Sequence, residues 1–325
     1  MTETMIFMGV VENSKLAIVG AGSVGASLAY AALIRGSARH VALYDINEAK
    51  VDAEVLDLAH GTQFTGVSDI VGSKDLIAVE GAHVVVITAG AKQHPGQTRL
   101  DLAATNVRLL EQLMPDLVQH APEAFYVLVT NPCDVLTVAA HRMSELPPHR
   151  VFSSGTVLDT SRLRRLLADR AGISTASVHA YIAGEHGDTG FPVWSNARIG
   201  SVPILDWRSP ESVPPFAAEE LDRIAIDVRD AAYKVIKGKG ATNYAIGLAG
   251  ARIVEALLGD EHAIMPVSTV LGGLYGVDGI ALSVPSVVSA SGAVPVTETP
   301  FAADELTLLH RSADTLAASL RTLGL

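Results

Sequence analysis

The segment Lys15–Ala29, Lys-Leu-Ala-Ile-Val-Gly-Ala-Gly-Ser-Val-Gly-Ala-Ser-Leu-Ala, restricts the fold more than any other stretch of the chain. Leu16–Val19 is a short apolar run with the length of a buried strand, and it stops at Gly20. Gly20, Gly22 and Gly25 stand in the G-x-G-x-x-G register, and an alanine-rich helical pattern follows to about Gly36. The first glycine permits a tight turn. The second lets the backbone approach a pyrophosphate, and the third lets the helix pack against the strand. Ser23 and Val24 open that helix, whose N-terminal amides carry roughly half a positive charge and favour a diphosphate.

The glycines alone are equally satisfied by a purely structural strand–helix turn. A second apolar run changes the balance: His40–Tyr44 ends in Asp45, twenty residues after Gly25. A carboxylate at the tip of the second strand accepts hydrogen bonds from a ribose diol and repels a 2′-phosphate, which predicts NAD rather than NADP.

At 325 residues the chain suffices for two modest domains. A net charge of −11 argues against a nucleic-acid or anionic-membrane partner. The single cysteine, Cys133, precludes an internal disulfide framework and fits a reducing, cytoplasmic compartment. No secretory leader is expected, because the start lacks a basic cluster and Met5–Val11 is broken by Gly9. The longest uncharged stretch, Gly279–Thr297, holds Pro285 and Pro295 and reads as buried strands, not as a membrane span. The first thirteen residues read as a loose arm, with Met8 as an alternative start.

Strand patterns near Val84–Thr88 and Phe125–Thr130 alternate with helical ones at Glu48–His60 and Leu100–His120, where Pro115 is expected to kink or interrupt the helix. That rhythm predicts an α/β fold: a Rossmann-type doubly wound parallel sheet over residues 1–155, with Thr88 and Ala89 at its cofactor edge. Residues 156–325 read as a mixed α+β substrate domain, with helices at Ala217–Lys237, Thr242–Leu258 and from Ala303.

Several residues could carry chemistry. Ala89–Arg99 follows a strand directly, and Gly90 and Gly96 would let it hinge as a lid that carries Arg99 onto a substrate and expels water. Taken alone, it reads rather as a mobile solvent loop with a solvated arginine. Asn131, before Pro132, can offer its amide to a ligand or simply form an Asx turn. Cys133 lacks a nearby base and reads as a small packing residue. Asp159 and Arg162 share a helical face, either as an i,i+3 ion pair or with the guanidinium fork presented to a carboxylate. His186, in Gly184-Glu185-His186-Gly187-Asp188, is poorly placed for core packing and suits proton transfer. A metal is the rival reading, but H-E-x-x-H and paired cysteines are missing, and no metal is expected.

Together these motifs resemble the lactate/malate dehydrogenase family, and within it the bacterial L-lactate dehydrogenases, from Lys15 to the last helix. The resemblance implies reversible hydride transfer between NADH and pyruvate, giving L-lactate. His186 would be the acid/base, Asp159 its orienting carboxylate, Arg162 the clamp on the substrate carboxylate and Arg99 the carbonyl polariser. Asn131 and Thr242 would stand beside the substrate, and Ile246, one turn on, would wall the nicotinamide. In malate-specific members an arginine stands two residues before the lid proline. Here that position is Gln93, which leaves a second carboxylate unpaired and favours pyruvate over oxaloacetate. The resemblance also implies a homotetramer activated by fructose 1,6-bisphosphate through Arg164 and His179. Gly190-Phe191 departs from the family's usual Glu-Leu pair, and the Asp206–Pro215 loop matches nothing recognisable. The alternatives are a dehydrogenase for malate or another 2-hydroxy acid, or a dinucleotide-binding protein without turnover.

Overall fold

The computed structural model describes residues 10–91, 98–209 and 214–325, Arg99 by its backbone alone. The chain opens as alternating strands and helices: β1 (Lys15–Val19), α1 (Ser23–Arg35), β2 (His40–Tyr44), α2 (Glu48–Gly61), β3 (Asp69–Ser73), β4 (Val84–Ile87), α3 (Arg99–His120), β5 (Phe125–Leu128), α4 (Cys133–Ser144) and β6 (Val151–Ser153). These strands pair in parallel in the order β3-β2-β1-β4-β5-β6. That order reverses beside β1, where a doubly wound sheet opens its ligand crevice. Every residue of β4, Val-Val-Val-Ile, is buried, as befits a strand covered by helices on both faces.

After α5 (Val157–Ala171) come five two-residue strands, β7 (Val178–His179), β8 (Ile182–Ala183), β9 (Phe191–Pro192), β10 (Arg198–Ile199) and β11 (Val202–Pro203). The helices α6 (Ala218–Lys239) and α7 (Tyr244–Leu258) follow. The strands β12 (Ala263–Met265), β13 (Ser268–Gly272), β14 (Asp278–Ser283), β15 (Ser286–Ser289) and β16 (Gly292–Pro295) lead into α8 (Ala303–Leu323). The second half is therefore mixed α+β, and Gly279–Thr297 does fold into strands.

Three features depart from the sequence reading. β13 pairs antiparallel with β6, and β14 with β13, so the second half extends the first half's sheet to eight strands. Pro115 does not interrupt α3, which runs from Arg99 to His120. Proline lacks the N–H that would bond the Glu111 carbonyl, but both residues are exposed and water can satisfy that group. α7 begins at Tyr244 rather than Thr242, because Asn243 leaves helical geometry (φ −151°) and donates its amide to Ser27 Oγ at 2.8 Å.

Two apolar cores flank the sheet. One gathers Met114, Leu117, Tyr126 and Leu136 with Leu309 and Leu316 of α8. The other gathers Leu16, Leu28, Val86 and Phe152 with Ile253 and Leu257 of α7. A third, around Leu163, Leu167, Ile199, Phe216 and Val228, joins α5 and α6 to the small strands. Among the described residues no helix is long and apolar enough to cross a membrane. Val11, in the N-terminal arm, donates its N–H to the Leu258 carbonyl at 3.0 Å. Residues 1–9 of the arm lie outside the described ones.

Candidate active site

The glycine turn has the form its sequence predicts. Gly20 sits at φ +108°, and a Cβ there would press on the Ala89 backbone. A Cβ on Gly25 would collide with the Gly20 carbonyl, so the third glycine is what lets α1 begin against its own turn. At Gly22 an added Cβ would meet only open space, with Lys50 Nζ 4.0 Å away. The backbone is thus accessible where a pyrophosphate is expected. Ser23 is exposed as the first residue of α1, and Val24 packs at the edge of the core.

Asp45 stands at the end of β2 and closes this turn. One carboxylate oxygen accepts from Ala21 N–H at 2.8 Å, and the other accepts from Asn47 N–H at 3.0 Å. The Thr88 hydroxyl bonds the carbonyls of Val19 and Gly20 at 3.1 and 3.0 Å, tying β4 to the turn. These features fit an adenine dinucleotide: a bare backbone at Gly22, a helix N-terminus behind it and a carboxylate at the second strand's tip. Lys50 is a cation beside Gly22, where a phosphate is expected, that the sequence reading missed. The only signal for it was a lysine in the first turn after Asp45.

The group around His186 is assembled from two loops. Thr156 Oγ1 donates to the Ile182 carbonyl at 2.6 Å, and Ile182 N–H donates to Thr160 Oγ1 at 2.9 Å. The first turn of α5 therefore grips β8 through both polar groups of one residue. Gly184 follows at φ +89°, paired with Ser283 by two backbone bonds of 2.9 Å, where any Cβ would strike the Ser312 hydroxyl. This turn delivers His186 over α5.

There, His186 Nδ1 lies 2.6 Å from Asp159 Oδ2, and Arg162 Nη1 donates to Asp159 Oδ1 at 2.6 Å. Burial disfavours the imidazolium, but Asp159 outweighs it and raises the histidine above its ordinary value. Burial would likewise raise Asp159, yet His186 and Arg162 together hold it below the usual carboxylate range. With Nδ1 committed to Asp159, Nε2 is the nitrogen left for a substrate.

The remaining candidates are distributed around this pair. Thr242 lies just before α7, and Ile246, on its first turn, is half-buried against the core beside α1. Asn131 is joined to Pro132 by a cis peptide bond, and its carbonyl accepts from Asn106 Nδ2 at 2.8 Å. Asn106 Oδ1 also accepts from Ala91 N–H at 2.8 Å, so a buried asparagine on α3 ties the start of the loop to the Asn131 turn. Sequence reasoning missed it, because an asparagine inside an amphipathic helix gives no local signal.

Gly90 was expected as a hinge. In the structure a Cβ at Gly90 would run into the Thr130 side chain, so close packing already demands a glycine there. Gln93 and Gly96, with the rest of residues 92–97, lie outside the described residues, as does part of the Asp206–Pro215 loop. Arg99 is the first residue of α3.

Arg164 points away from Arg162: its Nε donates to the Ala180 carbonyl at 3.0 Å, and its guanidinium lies 4.9 Å from the Tyr181 ring centroid. His179 is exposed on β7, next to Ala180. Cys133 is buried, and burial pushes its thiol well up, consistent with a packing role. Phe191 is buried in β9 against β8. Among the described residues no group of three His, Cys, Asp or Glu is arranged to hold a metal ion.

Comparison with known proteins agrees with this geometry. Residues 14–153 match the lactate/malate dehydrogenase NAD binding domain, and residues 156–323 match the lactate/malate dehydrogenase alpha/beta C-terminal domain. An L-lactate dehydrogenase of Bifidobacterium animalis subsp. lactis is 47% identical over 314 residues, which is 97% of this chain and 98% of that protein. One from Latilactobacillus sakei subsp. sakei is 42% identical, covering 94% of this chain and 93% of the relative. The crystal structure of a lactate dehydrogenase from a Medee basin deep-sea metagenome library superposes with a TM-score of 0.92 at 36% identity, covering 97% of this chain and 100% of that one. The minor L-lactate dehydrogenase of Enterococcus mundtii gives 0.90 at 36% identity, covering 95% and 98%. By sequence and by fold, the chain belongs to the lactate/malate dehydrogenase family, with an NAD-binding first half.

Proposed function

We propose that this protein is an NAD-dependent L-lactate dehydrogenase that interconverts pyruvate and L-lactate, built as a coenzyme domain (1–155) and a substrate domain (156–325). The observation that carries the reading is the His186–Asp159–Arg162 array, with Nδ1 and Nη1 each 2.6 Å from one carboxylate. When bound, reduced NAD supplies the hydride, held by Gly20, Gly22, Ser23, Val24, Gly25, Asp45, Thr88, Ala89, Asn131 and Ile246. His186 donates a proton from Nε2 to the carbonyl oxygen as negative charge develops there. Asp159 holds the imidazole in the tautomer that leaves Nε2 outward. Arg162 engages Asp159 through one nitrogen, and its guanidinium has further N–H groups for a substrate carboxylate. Arg99, at the end of the 89–98 segment, polarises the carbonyl as that segment closes, and Asn131 and Thr242 line the substrate. Gln93 offers no positive charge to a second carboxylate, which favours a monocarboxylic 2-oxo acid.

The resemblance extends to a homotetramer activated by fructose 1,6-bisphosphate, acting in the cytoplasm in fermentative glycolysis. In support, the Arg164 guanidinium is seated on Ala180 and Tyr181, directly beyond the exposed His179, and faces a different neighbour from Arg162. The direct test is NADH oxidation with pyruvate and with oxaloacetate, and NAD reduction with L-lactate. Rapid turnover of pyruvate and L-lactate is expected, and inertness toward pyruvate would refute the assignment. A pyruvate saturation curve indifferent to the bisphosphate would remove the regulatory part.

A further inference from the structure

His186 is held by a second carboxylate as well as by Asp159. Asp134, in the first turn of α4, is buried, and its Oδ2 accepts from the His186 backbone N–H at 2.7 Å. α4 is otherwise strongly apolar there, Cys-Asp-Val-Leu-Thr-Val-Ala-Ala, and all of these residues are buried. A carboxylate in such a place is costly unless something holds it charged. Four groups face it: His186 and Glu185 from the loop after β8, Ser268 from β13, and the Cys133 thiol, 4.0 Å from Oδ1. His186, in turn, faces Asp159, Asp134 and Arg162.

We infer that Asp134 is a positioning residue for proton transfer: it fixes the His186 main chain, and its charge reinforces that of Asp159 in favouring the imidazolium. The inference rests on His186 being the proton carrier. Burial pushes the Asp134 carboxyl up to about 6, while His186 beside it favours its charged form. It therefore carries its charge through the neutral range and loses it in mild acid. Asp134 also lies three residues after Asn131, so one turn links the proposed substrate amide to the proposed proton donor.

Four variants of the full-length enzyme test this: Asp134→Asn, Asp134→Ala, Asp134→Ser and His186→Gln, each assayed for kcat/KM with pyruvate across pH. Asp134→Asn keeps a hydrogen-bond acceptor for His186 N–H and removes the charge. It should move the limb at which pyruvate reduction falls to lower pH by roughly one unit, as loss of a nearby charge does. NADH affinity, read by fluorescence titration, should be unchanged. Asp134→Ala should add a loss of kcat of about tenfold or more. Asp134→Ser, smaller and neutral, should move the limb in the same direction, a readout available where Asp134→Asn does not fold. A limb that stays at the wild-type pH in Asp134→Asn, or in Asp134→Ser, overturns the inference. His186→Gln separates the two claims. If it remains fully active, the proton-carrier reading itself fails. If it is inactive while Asp134→Asn keeps the wild-type profile, only the role of Asp134 fails.

Discussion

Asp159 binds His186 and Arg162 with separate oxygens, each at 2.6 Å, so one carboxylate fixes both the proposed proton donor and the proposed substrate clamp. Replacing it should therefore impair two functions at once. Asp159→Asn keeps the shape but removes the charge that makes the imidazolium favourable. We expect kcat for pyruvate reduction to fall roughly 10²-fold, in the range that general acid catalysis supplies. KM for pyruvate should also rise as Arg162 loses its anchor. Steady-state kinetics showing only one of the two effects would separate the roles.

The His186–Asp159 pair also predicts pH behaviour. His186 is raised above 6.5 in the folded enzyme, so pyruvate reduction, which needs the imidazolium, should be steady at low pH and fall as pH rises through that raised value. Lactate oxidation needs the neutral ring and should rise across the same window. The stabilisation from the charged histidine is fully present below 6.5 and lost as pH rises through the raised value. That from Asp159, whose value is depressed, is present above 3.8 and lost as pH falls through the depressed value. Initial rates in both directions, paired with thermal melts across pH, check all four signs.

Substrate choice is tested at Gln93. On the proposed reading, Gln93→Arg would introduce a guanidinium as a partner for a dicarboxylate's second charge. The ratio of kcat/KM for oxaloacetate over pyruvate should rise by at least about tenfold, since a buried charge left without a partner costs several kcal/mol. An unchanged ratio would show that residue 93 does not read the substrate's distal group.

The packing of α7 on α1 is tested at Gly247. A Cβ there would sit 2.8 Å from the Ser27 carbonyl carbon. The Ser27 carbonyl and the Leu28 nitrogen beside it are backbone and cannot rotate away, so Gly247→Ala should destabilise the protein by about 2 kcal/mol. NADH affinity should weaken with it, because α1 carries the glycine turn. Denaturant unfolding and a fluorescence titration measure the two effects.

What could be read from the sequence was what short spacing encodes. Gly20, Gly22 and Gly25 fall within six residues, and Asp159 and Arg162 within one helical turn, so local rules sufficed. Asp134 was legible only as an acidic residue near a helix start, a common dipole partner. Its actual partner is 52 residues away. Asn106 likewise bonds Ala91 and Asn131, 15 and 25 residues distant. A proline at 115 obeyed the rule for an isolated helix less than the rule that an exposed carbonyl can turn to water. Gly90 illustrates the converse: its conspicuous permissiveness suggested motion, while the Thr130 side chain beside it explains the residue by space alone.

The pairing of β13 with β6 has a practical consequence for anyone wishing to isolate the coenzyme half. A fragment cut after residue 155 would leave β6 as a bare border, its ladder groups open to the next molecule. Such a fragment should be sticky, and grafting this half onto a foreign partner would require a hairpin to be brought along with it.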